Sequence, residues 1–291
     1  MTRWLVTGAA GMLGRDLTAL LSAHGADVTG LSRGDLDITD AAAVRAALDA
    51  GEPDVVVNCA AWTAVDDAES AEEAALAVNG HGAAHLADAC REIGAALVQV
   101  STDYVFDGTA SAPYQEAHPP APRTVYGRTK LAGEQAVLSA LPGSGYVVRT
   151  AWLYGAHGRN FVATMITRAR AGAPVTVVDD QYGQPTWTAD VARQIHALVT
   201  SGAPAGIYHA TCSGHTTWHG LAREVFTLAG ADPALVSPIP TSAYPRPAPR
   251  PAYSVLAHDT WAKADIEPIG DWQDAVHRAF PAILAQATMA S

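Results

Sequence analysis

Five short runs in the first half of the chain, at residues 4–7, 28–31, 55–58, 97–101 and 146–150, are apolar for most of their length and show no regular polar alternation. Strands of that kind are covered on both faces, and the alanine-rich periodic segments between them supply helices of about 10–15 residues to do so. The pattern predicts an α/β fold: a doubly wound, Rossmann-type parallel sheet. One helix start is explicit, because Ser70-Ala71-Glu72-Glu73 has capping-box spacing ahead of a periodic run at 74–93. A second helix is expected over 125–140. With 291 residues, 49% of them hydrophobic, the chain suffices for one large domain or for a large and a small one.

Beyond residue 150 the rhythm loosens. Pro238, Pro240, Pro245, Pro247, Pro249 and Pro251 exclude helix and central strand from their stretch, which should be rigid and irregular. Helices are expected on either side, at 217–229 and 272–280. The expected division is therefore 1–150 for the sheet domain and 151–291 for a smaller C-terminal cap. A strand and helix within 174–201 are open to either assignment.

The balance of 29 acidic against 18 basic residues, a formal charge of -11, argues against nucleic acid and anionic membranes as partners. No apolar run approaches the roughly 20 residues of a membrane span, and the N-terminus leads directly into a strand, so a cytoplasmic protein is expected. Cys59, Cys90 and Cys212 are odd in number and in no metal or redox spacing, which reads as buried free thiols.

Three features carry chemistry. Gly8-Ala9-Ala10-Gly11-Met12-Leu13-Gly14 joins the first strand to a helix, where glycines permit a tight turn and the helix N-terminus attracts a pyrophosphate. Residues 1–150 thus read as a dinucleotide-binding domain, with 151–291 as a substrate-binding cap. Tyr126 and Lys130 are four apart and share a helix face, so an ammonium beside the phenol would lower its pKa toward the working pH. Thr102 and Asp103 end the predicted strand at 97–101, the edge of an open sheet where ligands bind. A glycine loop, a strand-end hydroxyl and a Tyr/Lys pair in this order point to reduction of a carbonyl.

With these motifs the chain resembles the dTDP-4-dehydrorhamnose reductase family of the extended short-chain dehydrogenase/reductase superfamily. The resemblance spans nearly the whole chain: 57–66, Ser101-Thr102-Asp103-Tyr104-Val105-Phe106, 126–134, Asp180-Gln181-Tyr182-Gly183-Gln184-Pro185-Thr186 and 240–245. It implies that Tyr126 is the acid, that Lys130 binds the nicotinamide ribose and tunes Tyr126, and that Thr102 orients a 4-keto oxygen. It further implies that Asp103 and Trp152 line the sugar site, that Ala61, Trp62 and Thr63 pass the cofactor, and that Asp37 and Ile38 flank its adenine. Trp152 as a core aromatic is the competing reading. Asn79 matches an asparagine that distorts the helix behind the site, against a plain surface amide. Arg250, in the family-like proline segment, is expected to hold the diphosphate of a nucleotide-sugar substrate, against an arginine packed on its own loop.

Sugar dehydratases of the superfamily carry Thr-Asp-Glu where this chain has Thr102-Asp103-Tyr104, so the acid pair for elimination is missing. Asp16 lies near a position used for metal by some members, but Ala189 stands where another ligand would be, and no metal is expected. After the second strand the chain reads Ser32-Arg33-Gly34, with the first carboxylate at Asp35, which favours the 2′-phosphate of NADPH while leaving NADH admissible. A homodimer is admissible too. Two other functions remain open: a 4-ketoreductase for another dTDP-deoxysugar in antibiotic assembly, and a regulatory subunit of methionine adenosyltransferase type.

Overall fold

The computed structural model describes residues 2–289. The five apolar runs form β1 (Arg3–Thr7), β2 (Asp27–Leu31), β3 (Val55–Asn58), β4 (Ala96–Thr102) and β5 (Gly145–Thr150). With a sixth strand, Gly206–His209, they make one sheet in the order β2, β1, β3, β4, β5, Gly206–His209, every neighbouring pair parallel. The helices of this half are α1 (Met12–Ala23), α2 (Ala41–Gly51), α3 (Val65–Ala68), α4 (Glu72–Leu76), α5 (Gly82–Ile93) and α6 (Val125–Ala140).

Successive strand residues point to opposite faces, and both faces are apolar here. Trp4 and Val6 of β1 join Val55, Val57, Val98 and Val148 in one core, which α1 covers with Leu13, Leu17 and Leu21 at four-residue spacing. Leu5 enters the other core with Val56 and Leu97, covered by Val44 and Leu48 of α2 and Leu86 and Cys90 of α5. Each such fully buried Val or Leu contributes about 1.5–3 kcal/mol, which is why the runs tolerate so few polar residues. From β1 the chain passes to β2 on one side and then to β3 on the other. That reversal opens a crevice at the C-terminal strand ends.

The expected helix over 74–93 is built from two α-helical pieces, α4 and α5, joined by a π turn, Ala77–His81. The capping box ahead of it does not form: Ser70 Oγ donates to the Asp67 carbonyl at 3.1 Å, and Ala71 stands at the cap without a side-chain bond. The preceding α3 explains this, since Ser70 closes that helix instead of opening the next. The α6 bounds coincide with the expected 125–140, and its start is held twice. Thr124 Oγ1 accepts from Gly127 N at 3.0 Å, and Glu69 Oε1 accepts from Val125 N at 2.9 Å.

The C-terminal portion is more interleaved than a cap over 151–291. The strand Val175–Val178 does not return to the main sheet but pairs with Val236–Ile239 in a two-stranded ribbon, whose free edge tolerates Pro238. The strand that does return is Gly206–His209, and the helix Thr188–Thr200 packs on α1. A four-residue run after Ala203-Pro204 is too short for periodicity to distinguish from a loop. The remaining cap is carried by the helices Phe161–Arg170, Trp218–Leu228 and Trp272–Met289, the last running past the expected 272–280. Among the described residues no helix is long and apolar enough to cross a membrane.

Candidate active site

A cavity of about 1100 Å³ lies over the crevice, floored by the C-terminal ends of the sheet and roofed by the cap. Its floor includes Gly11, Met12 and Leu13 after β1, Cys59, Ala60, Ala61 and Thr63 after β3, Thr102 and Asp103 at the end of β4, and Tyr126 and Lys130 on α6. Trp152, Arg168, Trp218, Tyr244, Arg246 and Arg250 lie on the cap side.

The three glycines of the first turn differ in what they do. Gly8 has φ +64°, and a Cβ there would stand 2.6 Å from Ala60 N; a Cβ on Gly14 would stand 2.4 Å from the Gly8 carbonyl oxygen. Both let backbone pack on backbone, and neither borders the cavity. Gly11 does, at the N-cap of α1, where no side chain bonds the first helical N–H groups. That end can take an anion.

α6 is pressed against the turn after β4, because a Cβ on Gly127 would lie 2.1 Å from the Tyr104 carbonyl oxygen. The approach brings Tyr126 to the cavity wall that Thr102 also lines. Thr102 Oγ1 donates to Asp103 Oδ1 at 2.9 Å and accepts from Tyr104 N at 3.2 Å. Asp103 is 3% exposed; burial raises its carboxyl to about 6 against the pull of Ser254 and Thr102. Asp103 Oδ2 has no hydrogen-bond partner among the described residues, and the Ser254 hydroxyl beside it stops short of bonding geometry.

The expected tuning of Tyr126 by Lys130 is reversed here. Burial pushes the phenol up to about 12, opposed by Thr102 and reinforced by Asp103. Lys130 is turned away: its Nζ donates to the Val100 carbonyl at 2.6 Å, and burial lowers it to about 8 while Glu134 raises it. A phenol held this way is fully protonated near neutrality, the state a proton donor needs. Cys59, expected to be buried, borders the cavity and is half-buried, whereas Cys90 and Cys212 are buried as expected.

Asn79 is a structural hub rather than a surface amide. Its Oδ1 accepts from Trp62 N at 2.9 Å, and its Nδ2 donates to the Trp62 carbonyl and to Thr129 Oγ1, each at 3.1 Å. It sits in the π turn, so the wider turn lets one side chain tie the 61–63 loop to α6. Trp152 stacks on Trp218 at 3.7 Å between centroids and has φ +47°, a strained backbone for a bulky residue that aims its indole along the cavity wall.

Of the other expected site residues, Ser32, Arg33, Asp37 and Ile38 fall outside the cavity and Arg250 borders it. Ser32 does not present a free hydroxyl: Oγ and N both donate to Asp35 Oδ2, at 2.6 and 2.9 Å, which lowers the Asp35 carboxyl. Arg33 is exposed. Asp37 is exposed and accepts from Thr39 N and Oγ1, while Ile38 is buried against α5, filling the space where Gly82 lacks a Cβ. Arg250 reaches the cavity but is shared, its Nη2 on Asp66 Oδ2 and its Nη1 on the Ala248 carbonyl, each at 2.9 Å. Arg168, which no sequence pattern marks, faces the cavity from the cap and joins no ion pair among the described residues.

A family model described as RmlD substrate binding domain matches residues 2–284. The chain belongs to this family. Among its relatives, a dTDP-4-dehydrorhamnose reductase of Streptomyces griseus is 60% identical over 289 residues, covering 98% of this chain and 95% of that protein. A dTDP-4-keto-6-deoxy-D-glucose reductase of Streptomyces niveus is 54% identical, with 97% and 98% covered. The solved dTDP-4-dehydrorhamnose reductase of Bacillus anthracis, in complex with NADP, matches at TM-score 0.93 and 36% identity, with 97% of this chain and 99% of that chain covered. The RmlD-family match thus spans sheet domain and cap together, and the cavity lies between them.

Proposed function

We infer that the protein is an NAD(P)H-dependent oxidoreductase that reduces the 4-keto group of a dTDP-deoxysugar, converting dTDP-4-dehydro-L-rhamnose to dTDP-L-rhamnose. The observation that carries the reading is the half-buried Tyr126, its phenol pushed up by desolvation, on the wall of a cavity that it shares with Thr102 and with the uncapped start of α1. NADPH is the cofactor and supplies the hydride. Gly11, Met12 and Leu13 would receive its pyrophosphate, Ala61, Trp62 and Thr63 pass its length, and Lys130 is the cation for its ribose. Thr102 orients the keto oxygen, and Tyr126 gives that oxygen its proton. Asp103 and Trp152 line the sugar site. The reading carries with it the cytoplasm as place of work and a homodimer as assembly, neither of which the chemistry requires.

The Streptomyces niveus relative favours a second substrate within the same chemistry, another dTDP-4-keto-6-deoxysugar. A panel of such sugars with NADPH or NADH, the products identified by NMR, decides between them; NADPH oxidation by none of the panel refutes the enzyme reading and leaves the regulatory-subunit alternative. In the same assay Arg33→Ala lowers kcat/KM for NADPH about tenfold and spares NADH, as loss of one charged hydrogen bond predicts. Because Asp35 occupies Ser32, Asp35→Asn raises the NADPH preference. A clear NADH preference in the unaltered enzyme sinks this cofactor assignment.

Arg250 uses two of its five donors on Asp66 and Ala248, which leaves donors for a diphosphate. Arg250→Ala is expected to raise KM for the nucleotide sugar about tenfold or more, with a smaller effect on kcat. Should Arg168→Ala carry that loss and Arg250→Ala none, the diphosphate belongs to Arg168.

A further inference from the structure

The proline-rich segment carries Tyr244, Arg246, Arg250 and Pro251 into the cavity wall. Both of its ends are tied down. Thr241 N donates to the Asp180 carboxylate of the cap at 2.9 Å, and at the other end Pro251 lies where Gly108 lacks a Cβ, with Tyr253 N donating to the Gly108 carbonyl at 3.1 Å. Between these ends, among the described residues, the hydrogen bonds and ion pairs that join residues 244–250 to the sheet domain all end on one carboxylate, that of Asp66. Its Oδ1 accepts from Ala248 N at 3.2 Å, and its Oδ2 accepts from Arg250 Nη2 at 2.9 Å with Arg246 Nη1 at 3.6 Å. Packing does little to hold this stretch. Residues 244–247 and Pro249 are exposed and only Ala248 is buried, while a second hollow of about 330 Å³ separates residues 249–252 from Phe106 and Arg123.

We propose that Asp66 is a substrate-positioning residue, whose carboxylate sets Arg246 and Arg250 together on the cavity wall so that their remaining donors meet the diphosphate of the nucleotide sugar. The proposal rests on the reading that the diphosphate lies on this side of the cavity. Two guanidinium groups that reach the same oxygen repel each other, and the carboxylate between them cancels that repulsion. The three groups together keep one net positive charge for an anionic ligand, in a protein of formal charge -11. Tyr244 steadies Arg246 from the other side, its ring centroid 4.6 Å from the guanidinium carbon.

Asp66 also stands at a defined distance from the cofactor's expected path. It lies in the first turn of α3, three residues past Thr63, and the preceding loop is fixed by the two bonds between Trp62 and Asn79. One carboxylate therefore sets how far the arginines stand from that loop. The three side chains are between 21% and 45% exposed, and ion pairs of that exposure add little to stability. Loss of Asp66 should accordingly change where the arginines stand and leave the fold in place.

Steady-state kinetics with a dTDP-4-keto-sugar and NADPH, with dTDP and thymidine as competing inhibitors, test the assignment. Asp66→Ala should raise KM for the nucleotide sugar about tenfold and weaken inhibition by dTDP by a similar factor, with kcat, NADPH affinity and inhibition by the phosphate-free thymidine within about threefold. Asp66→Asn keeps an acceptor for Ala248 N but no charge for the arginines, and should show most of that loss. Added to Arg246→Ala and Arg250→Ala together, Asp66→Ala should weaken dTDP no further, because it acts through those two side chains. An unaltered KM in Asp66→Ala, or an Asn variant that matches the parent, overturns the proposal. A lower KM overturns it as well, making Asp66 a rival of the diphosphate for the arginines, and so does an equal loss for thymidine or NADPH, which marks a general loosening. Where the arginine variants themselves leave dTDP inhibition unchanged, the diphosphate reading has failed and the proposal with it; where they weaken it and Asp66→Ala does not, the proposal alone has failed.

Discussion

Tyr126→Phe is expected to lower turnover by roughly 10²–10⁴-fold while leaving the fold and NADPH affinity intact, the range removed with a positioned general acid. The substitution removes one hydroxyl at the cavity wall and no packing. The ring keeps its edge-to-face contact with Tyr104 and its place against Ala68, Ala75 and Val125. Stability should therefore change by only about 1 kcal/mol. The loss should appear in kcat and kcat/KM together, because the proton is transferred in the transition state and not in the bound ground state. NADPH affinity is measured by fluorescence titration and melting by calorimetry. A folded Phe variant with unaltered turnover would remove Tyr126 from the mechanism, whereas one that loses NADPH binding would show that the phenol organises the cofactor site.

Much of this site was readable before the structure because its parts are local. Tyr126 and Lys130 share a helix face by spacing alone, α6 has the expected bounds, and the five apolar runs become the five leading strands. What sequence could not show are partnerships across long separations. Asp66 receives Arg250 from 184 residues away, and Asn79 joins Trp62 to Thr129 across gaps of 17 and 50 residues. The direction of the Tyr126 shift was misjudged for the same reason. Helical spacing brings Lys130 onto the right face, but the Val100 carbonyl that captures its ammonium belongs to β4, 30 residues earlier. Likewise the Ser32 hydroxyl, expected to favour a 2′-phosphate, already donates its hydrogen bond to Asp35, three residues on. Gly206–His209 was missed because four residues carry too little pattern to declare a strand.

The polar cluster beneath the site gives the largest expected change in stability. Glu134, one helical turn beyond Lys130, is 1% exposed and meets Arg149 of β5, also 1% exposed, through two parallel bonds: Nε to Oε1 at 2.9 Å and Nη2 to Oε2 at 2.7 Å. Ser101 of β4 donates to the same Oε1 at 2.5 Å, and the Arg149 guanidinium lies 5.0 Å over the Phe106 ring, with His209 at 3.4 Å from Nη1. One pair thus ties α6, β4, β5 and the sixth strand together behind the catalytic face. Bringing both charges out of water is costly, and their attraction offsets that cost only while both are present. Arg149→Ala, or Glu134→Ala, should therefore destabilise the protein by about 3–5 kcal/mol, a large share of the 5–15 kcal/mol that holds such a domain. Glu134→Leu combined with Arg149→Met removes both charges and should restore much of the loss, so the two changes are strongly non-additive. Urea unfolding of the two single variants and the double variant measures the coupling. Single variants within about 1 kcal/mol of the parent, or a double variant that simply sums the two, would mean that the apolar packing around the pair holds these elements together without it.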